Sequence, residues 1–186
     1  PKRPTNINVY HLEEKVLELS GLKVGKEISV FNVPINYKGE NYIHTIRAGD
    51  SNQVLTLLHG YGGTGVLFYP ILKELSKKYQ VYCIDLLGMG LSSRPSFDCK
   101  TTEESIDFFV ESLEKWREAL GIERFYLGGH SFGGYIGAHY AMRHPSRVKK
   151  LLMLSPVGVT KHEEVFVKED ARKKTHILVR PLFDVY

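Results

Sequence analysis

The chain has 186 residues, 42% of them hydrophobic and 25% charged, with a formal net charge of +4 and an isoelectric point near 9.0. That is one ordinary globular domain, large enough to bury roughly 70% of its unfolded surface. The basic excess is spread along the chain without a Lys/Arg block, which argues against nucleic-acid binding and leaves a weak attraction to anionic lipid surfaces. No apolar run approaches the ~20 residues that span a bilayer.

Tyr10 to Leu19 reads as a short helix with apolar Val16, Leu17 and Leu19. Ile28 to Ile35 and Tyr42 to Ile46 read as strands, joined through the turn-rich Asn36-Tyr37-Lys38-Gly39-Glu40-Asn41 into an antiparallel hairpin. Val54 to Leu58 is the next strand. Val66 to Tyr79 follows as a helix with Leu67, Ile71, Leu72 and Leu75 on one face. Val81 to Ile84 is a short apolar run, the pattern of a strand buried on both faces. Thr102 to Leu120 is the longest helix: Thr102 and Ser105 supply N-terminal hydroxyls, acids crowd the first turn, and Gly121 ends it. Ile106, Phe109, Leu113, Trp116 and Leu120 recur at helical spacing, so Trp116 reads as a core anchor. A strand at 125–128, a helix running to His144 and a strand from Lys150 to Leu154 complete the series. Strands alternating with helices predict the α/β class, a doubly wound, mostly parallel sheet with an N-terminal antiparallel hairpin. There are no internal repeats or low-complexity tracts. From Thr160 onward the chain turns charge-dense and weakly periodic.

Gly129-His130-Ser131-Phe132-Gly133 lies between the strand at 125–128 and the helix that follows it. Alone, Gly-x-Ser-x-Gly is a weak signal. Between a strand and a helix it reads as a nucleophile elbow, a turn so tight that only very small residues fit two positions either side of the serine. Ser131 is then the candidate nucleophile, held in a strained backbone conformation with its hydroxyl above the sheet. The backbone N–H of Phe132, at the start of the helix, is a candidate oxyanion donor. Two further motifs accompany the elbow: His59-Gly60-Tyr61-Gly62-Gly63 after Val54 to Leu58, and Asp85-Leu86-Leu87-Gly88-Met89-Gly90-Leu91-Ser92-Ser93-Arg94-Pro95 after Val81 to Ile84. Their company argues against a merely structural serine in a glycine turn.

Order and spacing of the three motifs fit an α/β-hydrolase core. The chain resembles one subfamily, the α/β-hydrolase-domain 4 and 5 proteins, which comprises lysophospholipase-like enzymes and lipase co-activators. The resemblance runs from about Leu12 to Val159 and is carried by Asp85 to Pro95, by Phe108 to Arg117, and by Gly128 to Gly134 with His144-Pro145-Ser146-Arg147-Val148. It implies a serine hydrolase acting on acyl esters of lipid-like substrates, with Tyr61 N–H, at the position after His-Gly, as the second oxyanion donor; Gly62 is the alternative. In the co-activator branch the nucleophile position is not a serine, so Ser131 favours the enzyme branch. The other reading is a non-catalytic accessory subunit derived from a hydrolase. Residues 1–160 are expected to be the N-terminal part of the core and residues 161–186 the start of the cap.

The other histidines carry weaker expectations. His130 neighbours Ser131 and leaves the elbow in a different direction; His59 braces its loop; His139 and His144 lie on or at the end of the elbow helix. Asp85 is expected to organise the Gly88 to Ser92 turn. The family order of serine, acid and histidine places the acid and the base after Tyr186, and no histidine is followed five positions on by aspartate. The resemblance therefore implies an incomplete hydrolase, cut after the sixth strand, whose 150–154 strand is covered by the remainder of its own chain or by a partner subunit. No cofactor or metal is expected, and peripheral membrane or lipid-droplet contact is. Two cysteines, Cys83 and Cys99, fit a reducing compartment. The location expected is intracellular, cytoplasmic and lipid-associated, or mitochondrial where a targeting peptide has been removed.

Overall fold

The computed structural model describes residues 8–158; the segment read as the cap lies outside the described residues. Helix α1 spans Val9–Glu18 and is capped by Asn8, whose Oδ1 accepts the His11 N–H. Strands β1 (Ile28–Asn36) and β2 (Glu40–Ala48) form the expected hairpin. It turns through Lys38 and Gly39, both at positive φ. Strand β3 is Val54–Leu58 and β4 is Gln80–Ile84. The long helix α3 is Thr102–Ala119, β5 is Phe125–His130, α4 is Phe132–Arg143 and β6 is Val148–Leu154.

The six strands make one mixed sheet in the order β1-β2-β4-β3-β5-β6. The hairpin joins the rest through an antiparallel β2–β4 pairing, and β4, β3, β5 and β6 are mutually parallel. Alternate residues of the central strands point to opposite faces. Leu55, Leu57, Val81 and Cys83 pack with Leu17, Phe68 and Leu72 on the side of the sheet that carries α1 and helix α2 (Tyr69–Ser76). Leu58, Tyr82 and Ile84 pack with Phe109, Leu113, Trp116 and Tyr140 on the α3–α4 side. Both faces are covered, which is why these strands read as unbroken apolar runs.

Two expectations are corrected. The helix read over 66–79 is a 3₁₀ turn at Gly65–Phe68 followed by α2 at Tyr69–Ser76. A 3₁₀ turn advances three residues per turn rather than 3.6, so the apolar stripe changes phase where Pro70 opens the α-helix. Phe68 and Leu72 therefore face the core, while Leu67 and Ile71 are 61% and 42% exposed. At α3 the cap is Thr101, not Thr102: its Oγ1 accepts the Glu104 N–H at 3.2 Å, and Ser105 Oγ donates back to the Thr101 carbonyl at 2.9 Å. Gly121 ends that helix at positive φ, as its sequence position implies.

Under α3 and α4, Glu114 receives the guanidinium of Arg117 and the hydroxyl of Tyr140, and Arg117 also donates to the Ile122 carbonyl. The hydrogen bonds from Arg117 and Tyr140 hold Glu114 ionised and below its ordinary range, although burial alone would raise it. Trp116 is fully buried and donates from Nε1 to Thr45 Oγ1 at 3.0 Å, tying α3 to β2. Trp116→Ala should cost about 3–5 kcal/mol of stability, read from urea unfolding. A shift well under 1 kcal/mol would mean that Trp116 is not a core anchor.

Candidate active site

The chain order places the site. From β3 the chain passes through α2 to β4 on one side, then crosses back through α3 to β5 on the other side of β3. The order reverses at β3, and in open α/β sheets such a reversal, at the C-terminal ends of the strands (here β3 and β5), is where ligands bind. The loop after β3 is His59 to Thr64, and the turn after β5 holds Ser131.

Ser131 sits between β5 and α4 with φ 52° and ψ −116°, a region a residue with a β-carbon rarely occupies. The flanking glycines show what permits it. A β-carbon on Gly129 would lie 2.6 Å from Gly134 N, and one on Gly133 would lie 2.6 Å from the His59 carbonyl oxygen. Gly129 thus makes room for the first turn of α4, and Gly133 makes room for the end of β3. The sequence pattern explains small residues beside the serine by the tightness of the turn itself; for Gly133 the crowding comes from the end of the neighbouring strand. Phe132 N–H opens α4, where first-turn N–H groups have no partner within the helix. The Phe132 ring is buried against Tyr61, edge to face at 6.3 Å, and against Phe109 at 5.1 Å.

The His59–Gly63 loop lies directly against the elbow. A β-carbon on Gly60 would stand 3.2 Å from Ser131 Cβ and 3.1 Å from His130 Nδ1. The Gly60 carbonyl accepts two hydrogen bonds, from His59 Nδ1 at 2.7 Å and from Gly63 N–H at 3.0 Å. Because the peptide is trans, the Tyr61 N–H is turned away from both donors. Leu86 N–H donates to His59 Nε2 at 2.9 Å. A ring that donates from Nδ1 and accepts at Nε2 is one neutral tautomer. His59 therefore braces the loop after β3 against the loop after β4. Burial holds its pKa below the ordinary 6.5, while the Gly60 carbonyl and the Asp85 charge act the other way.

Asp85 is fully buried at the end of β4. Its Oδ1 accepts Gly65 N–H and its Oδ2 accepts Leu91 N–H, both at 2.6 Å, and its carbonyl accepts the Ser92 hydroxyl at 2.7 Å. It organises the Gly88–Ser92 turn, as the sequence implies, and also holds the start of the 3₁₀ turn. The Asp85–Gly65 link has no local sequence signal. Among the described residues no imidazole is hydrogen-bonded to Ser131 Oγ. His130 is exposed beside Gly60. His139 packs on Tyr135 at 4.5 Å, and His144 lies on Tyr140 at 4.8 Å. His44, which drew no expectation, is buried on β2 with Nε2 2.9 Å from Glu13 Oε2 and Nδ1 2.8 Å from Asn32 Oδ1, pinning α1 to the hairpin. Burial raises the Cys83 thiol. Among the described residues no group of three or more His, Cys, Asp or Glu is placed to hold a metal ion. No helix among them is long and apolar enough to cross a membrane.

A strand-order reversal, with a strained serine and a glycine loop at the strand ends beside it, defines the class. The chain belongs to the α/β-hydrolase fold family, whose model matches residues 53–175. Within it the chain groups with the α/β-hydrolase-domain 4/5-like proteins. It is 41% identical over 150 residues to the human 1-acylglycerol-3-phosphate O-acyltransferase ABHD5, a stretch covering 75% of this chain and 43% of that protein. It is 41% identical over 120 residues to a probable 1-acylglycerol-3-phosphate O-acyltransferase of Oryza sativa subsp. japonica, covering 64% of this chain and 29% of the relative. The chain thus spans less than half the length of these relatives. Among solved structures it is similar to a membrane phospholipase A, a bacterial virulence factor, with a TM-score of 0.72, 27% identity and coverage of 92% and 50%. It is also similar to the carboxylesterase CesB of Bacillus subtilis, with a TM-score of 0.67, 27% identity and coverage of 79% and 48%.

Two outcomes follow from this geometry. Because the folded pKa of His59 is depressed, its contribution to stability is full above the ordinary value of 6.5 and is lost as the pH falls through the folded value. Urea unfolding near pH 7 and near pH 5 should show a stability loss on acidification, and that loss should be smaller in His59→Gln, which does not titrate. Gly133→Val should fail to give folded protein, since a β-branched side chain has no space against the end of β3. A folded Gly133→Val variant by circular dichroism would contradict the close approach.

Proposed function

We propose that this chain carries the nucleophile half of a serine-dependent enzyme acting on acyl esters of lipid-like substrates, a lysophospholipase or esterase in character. The observation that carries the reading is the conformation of Ser131, at φ 52° between β5 and α4 beside the Gly60 loop. Ser131 Oγ attacks the ester carbonyl while a base takes its proton. The carbonyl oxygen becomes an oxyanion held by the N–H groups of Phe132 and Tyr61, each donor worth about 3–4 kcal/mol in the transition state. Collapse expels the alcohol and leaves the acyl group on Ser131. Water then releases a fatty acid, or a second alcohol receives the acyl group. The relatives' names support both ends: an O-acyltransferase on one side, a phospholipase A and a carboxylesterase on the other. In this reading the base and the acid come from the part of the longer polypeptide that these relatives possess and this chain does not match.

One observation favours a second reading, an accessory protein without turnover. Among the described residues no histidine–acid pair serves Ser131, and both ring nitrogens of His59 are engaged. In either case β6 needs cover. It is, with β1, one of the two outer strands of the described sheet, and Leu152, Met153 and Leu154 on it are exposed. We assign that cover to the remainder of the protein or to a partner subunit, with the substrate drawn from a lipid surface.

The test is covalent labelling of the protein at its natural length with a fluorophosphonate. Ser131 should be the labelled residue, and Ser131→Ala should lose the label and reduce ester turnover by about 10⁶-fold with binding largely kept. Turnover retained in purified Ser131→Ala would exclude Ser131 as the nucleophile. An unlabelled wild-type protein would favour the accessory reading.

A further inference from the structure

The turn after β6 grips the candidate nucleophile from both sides. Ser131 N–H donates to the Leu154 carbonyl at 3.0 Å, and three residues later Val157 N–H donates back to the Ser131 carbonyl at 3.3 Å. The same carbonyl accepts Gly134 N–H at 3.0 Å and Tyr135 N–H at 3.2 Å from the first turn of α4. The peptide groups on both sides of Ser131 are therefore tied to residues 154–157 as well as to its own helix.

To make that return, the turn itself is strained. Ser155 has φ 45°, one of three non-glycine residues among those described to lie in the positive region, with Lys38 and Ser131. It also precedes Pro156, whose ring further restricts the residue before it. A residue with a β-carbon held there is strained and persists only where its surroundings over-determine it. What over-determines it is visible. Pro156 seats against α4 at Gly134, where an added β-carbon would lie 2.9 Å from Pro156 Cβ. An added β-carbon on Gly134 would also lie 3.0 Å from the Gly129 carbonyl oxygen, so Gly134, although outside the Gly-x-Ser-x-Gly pattern, serves both the elbow and the seat for Pro156. Glycine is unfavourable inside a helix relative to alanine, and these two close approaches account for it here.

We infer that Leu154–Val157 is a positioning clamp for the nucleophile: Ser155 and Pro156 shape a turn whose carbonyl and N–H hold the Ser131 backbone in its strained conformation. The clamp acts through the Ser131 backbone rather than by touching substrate. It sets the direction of Oγ, and so the rate of attack once substrate is bound. The inference rests on Ser131 being the nucleophile.

The experiment uses the protein at its natural length and separates the rate constant for fluorophosphonate reaction at Ser131 from the affinity of the preceding complex. Ser155→Val places a β-branched residue at positive φ, and Val157→Pro deletes the N–H that reaches Ser131. Each should slow the bonded step by about tenfold with affinity near that of wild type, and Ser155→Val should also lower the thermal midpoint. Ser155→Gly, which adopts positive φ freely, and Val157→Ala, which keeps its N–H, should react like wild type. If Ser155→Val fails to fold, the Val157→Pro and Val157→Ala pair decides. Equal rates in Val157→Pro and Val157→Ala overturn the clamp while leaving Ser131 as nucleophile. A wild-type protein that takes no label at Ser131 overturns the nucleophile reading and the clamp with it.

Discussion

At the reversal of strand order, β3 and β5 meet with backbone against backbone. Gly133 passes under the carbonyls that end β3, Gly129 under the first turn of α4, and Gly60 beside Ser131. Protein interiors leave few voids, so a side chain at Gly133 or Gly129 would have to displace main chain, and one at Gly60 would press on the side chains of Ser131 and His130. The elbow, the loop after β3 and the start of α4 consequently form one unit, and the conformation of Ser131 follows from it. A serine at φ 52° is unfavourable alone and is kept because the surrounding packing allows no relaxed alternative.

The loops around this contact are held by polar groups rather than apolar burial. Asp85 satisfies two backbone N–H groups of two different loops, His59 joins the loop after β3 to the loop after β4, and Ser92 links the Asp85 carbonyl to the His44 N–H of β2. Buried polar groups with all partners in place specify one arrangement sharply, because each unmade bond would leave a desolvated group behind. The loops that carry the candidate oxyanion donors are thereby as defined as the strands. The apolar layers on both sheet faces supply the bulk of the burial; the polar braces decide where the loops go.

Under the proposed function, hydrolysis and acyl transfer make the same demands of this site: a presented serine, N–H groups for an oxyanion and an apolar surround, for which Phe132, Phe109 and Tyr61 stand in edge-to-face contact. They differ in what meets the acyl group afterwards. Relatives named as acyltransferases and neighbours named as a phospholipase and a carboxylesterase share this one architecture. The strand that clamps Ser131, β6, is also the one whose apolar residues are least covered among those described.

Features with local causes were legible in the amino-acid sequence. Val54–Leu58 is an apolar β-rich run bounded by polar residues and Gly60, and its bounds match β3. The hairpin, the amphipathic α3, its ending at Gly121 and the strand–turn–helix around Ser131 carry their signals within a few residues. Where the signal was local but weak, small errors followed: the change of phase at Pro70 and the cap at Thr101. The site was legible as motifs but not as an arrangement. Nothing near Gly133 in sequence says that its neighbour is the His59 carbonyl, nor near Asp85 that it holds Gly65, nor near Ser155 that its turn returns to Ser131. These are contacts between residues 20 or more positions apart, and they exist only once the strand order has brought the ends of β3, β4, β5 and β6 together. The sequence by itself determined which segments are strands and helices and which serine stands at a glycine turn, because backbone sterics and apolar periodicity act over short range. The tertiary structure alone decided what that serine leans on, because the carbonyls and N–H groups that hold it belong to other strands.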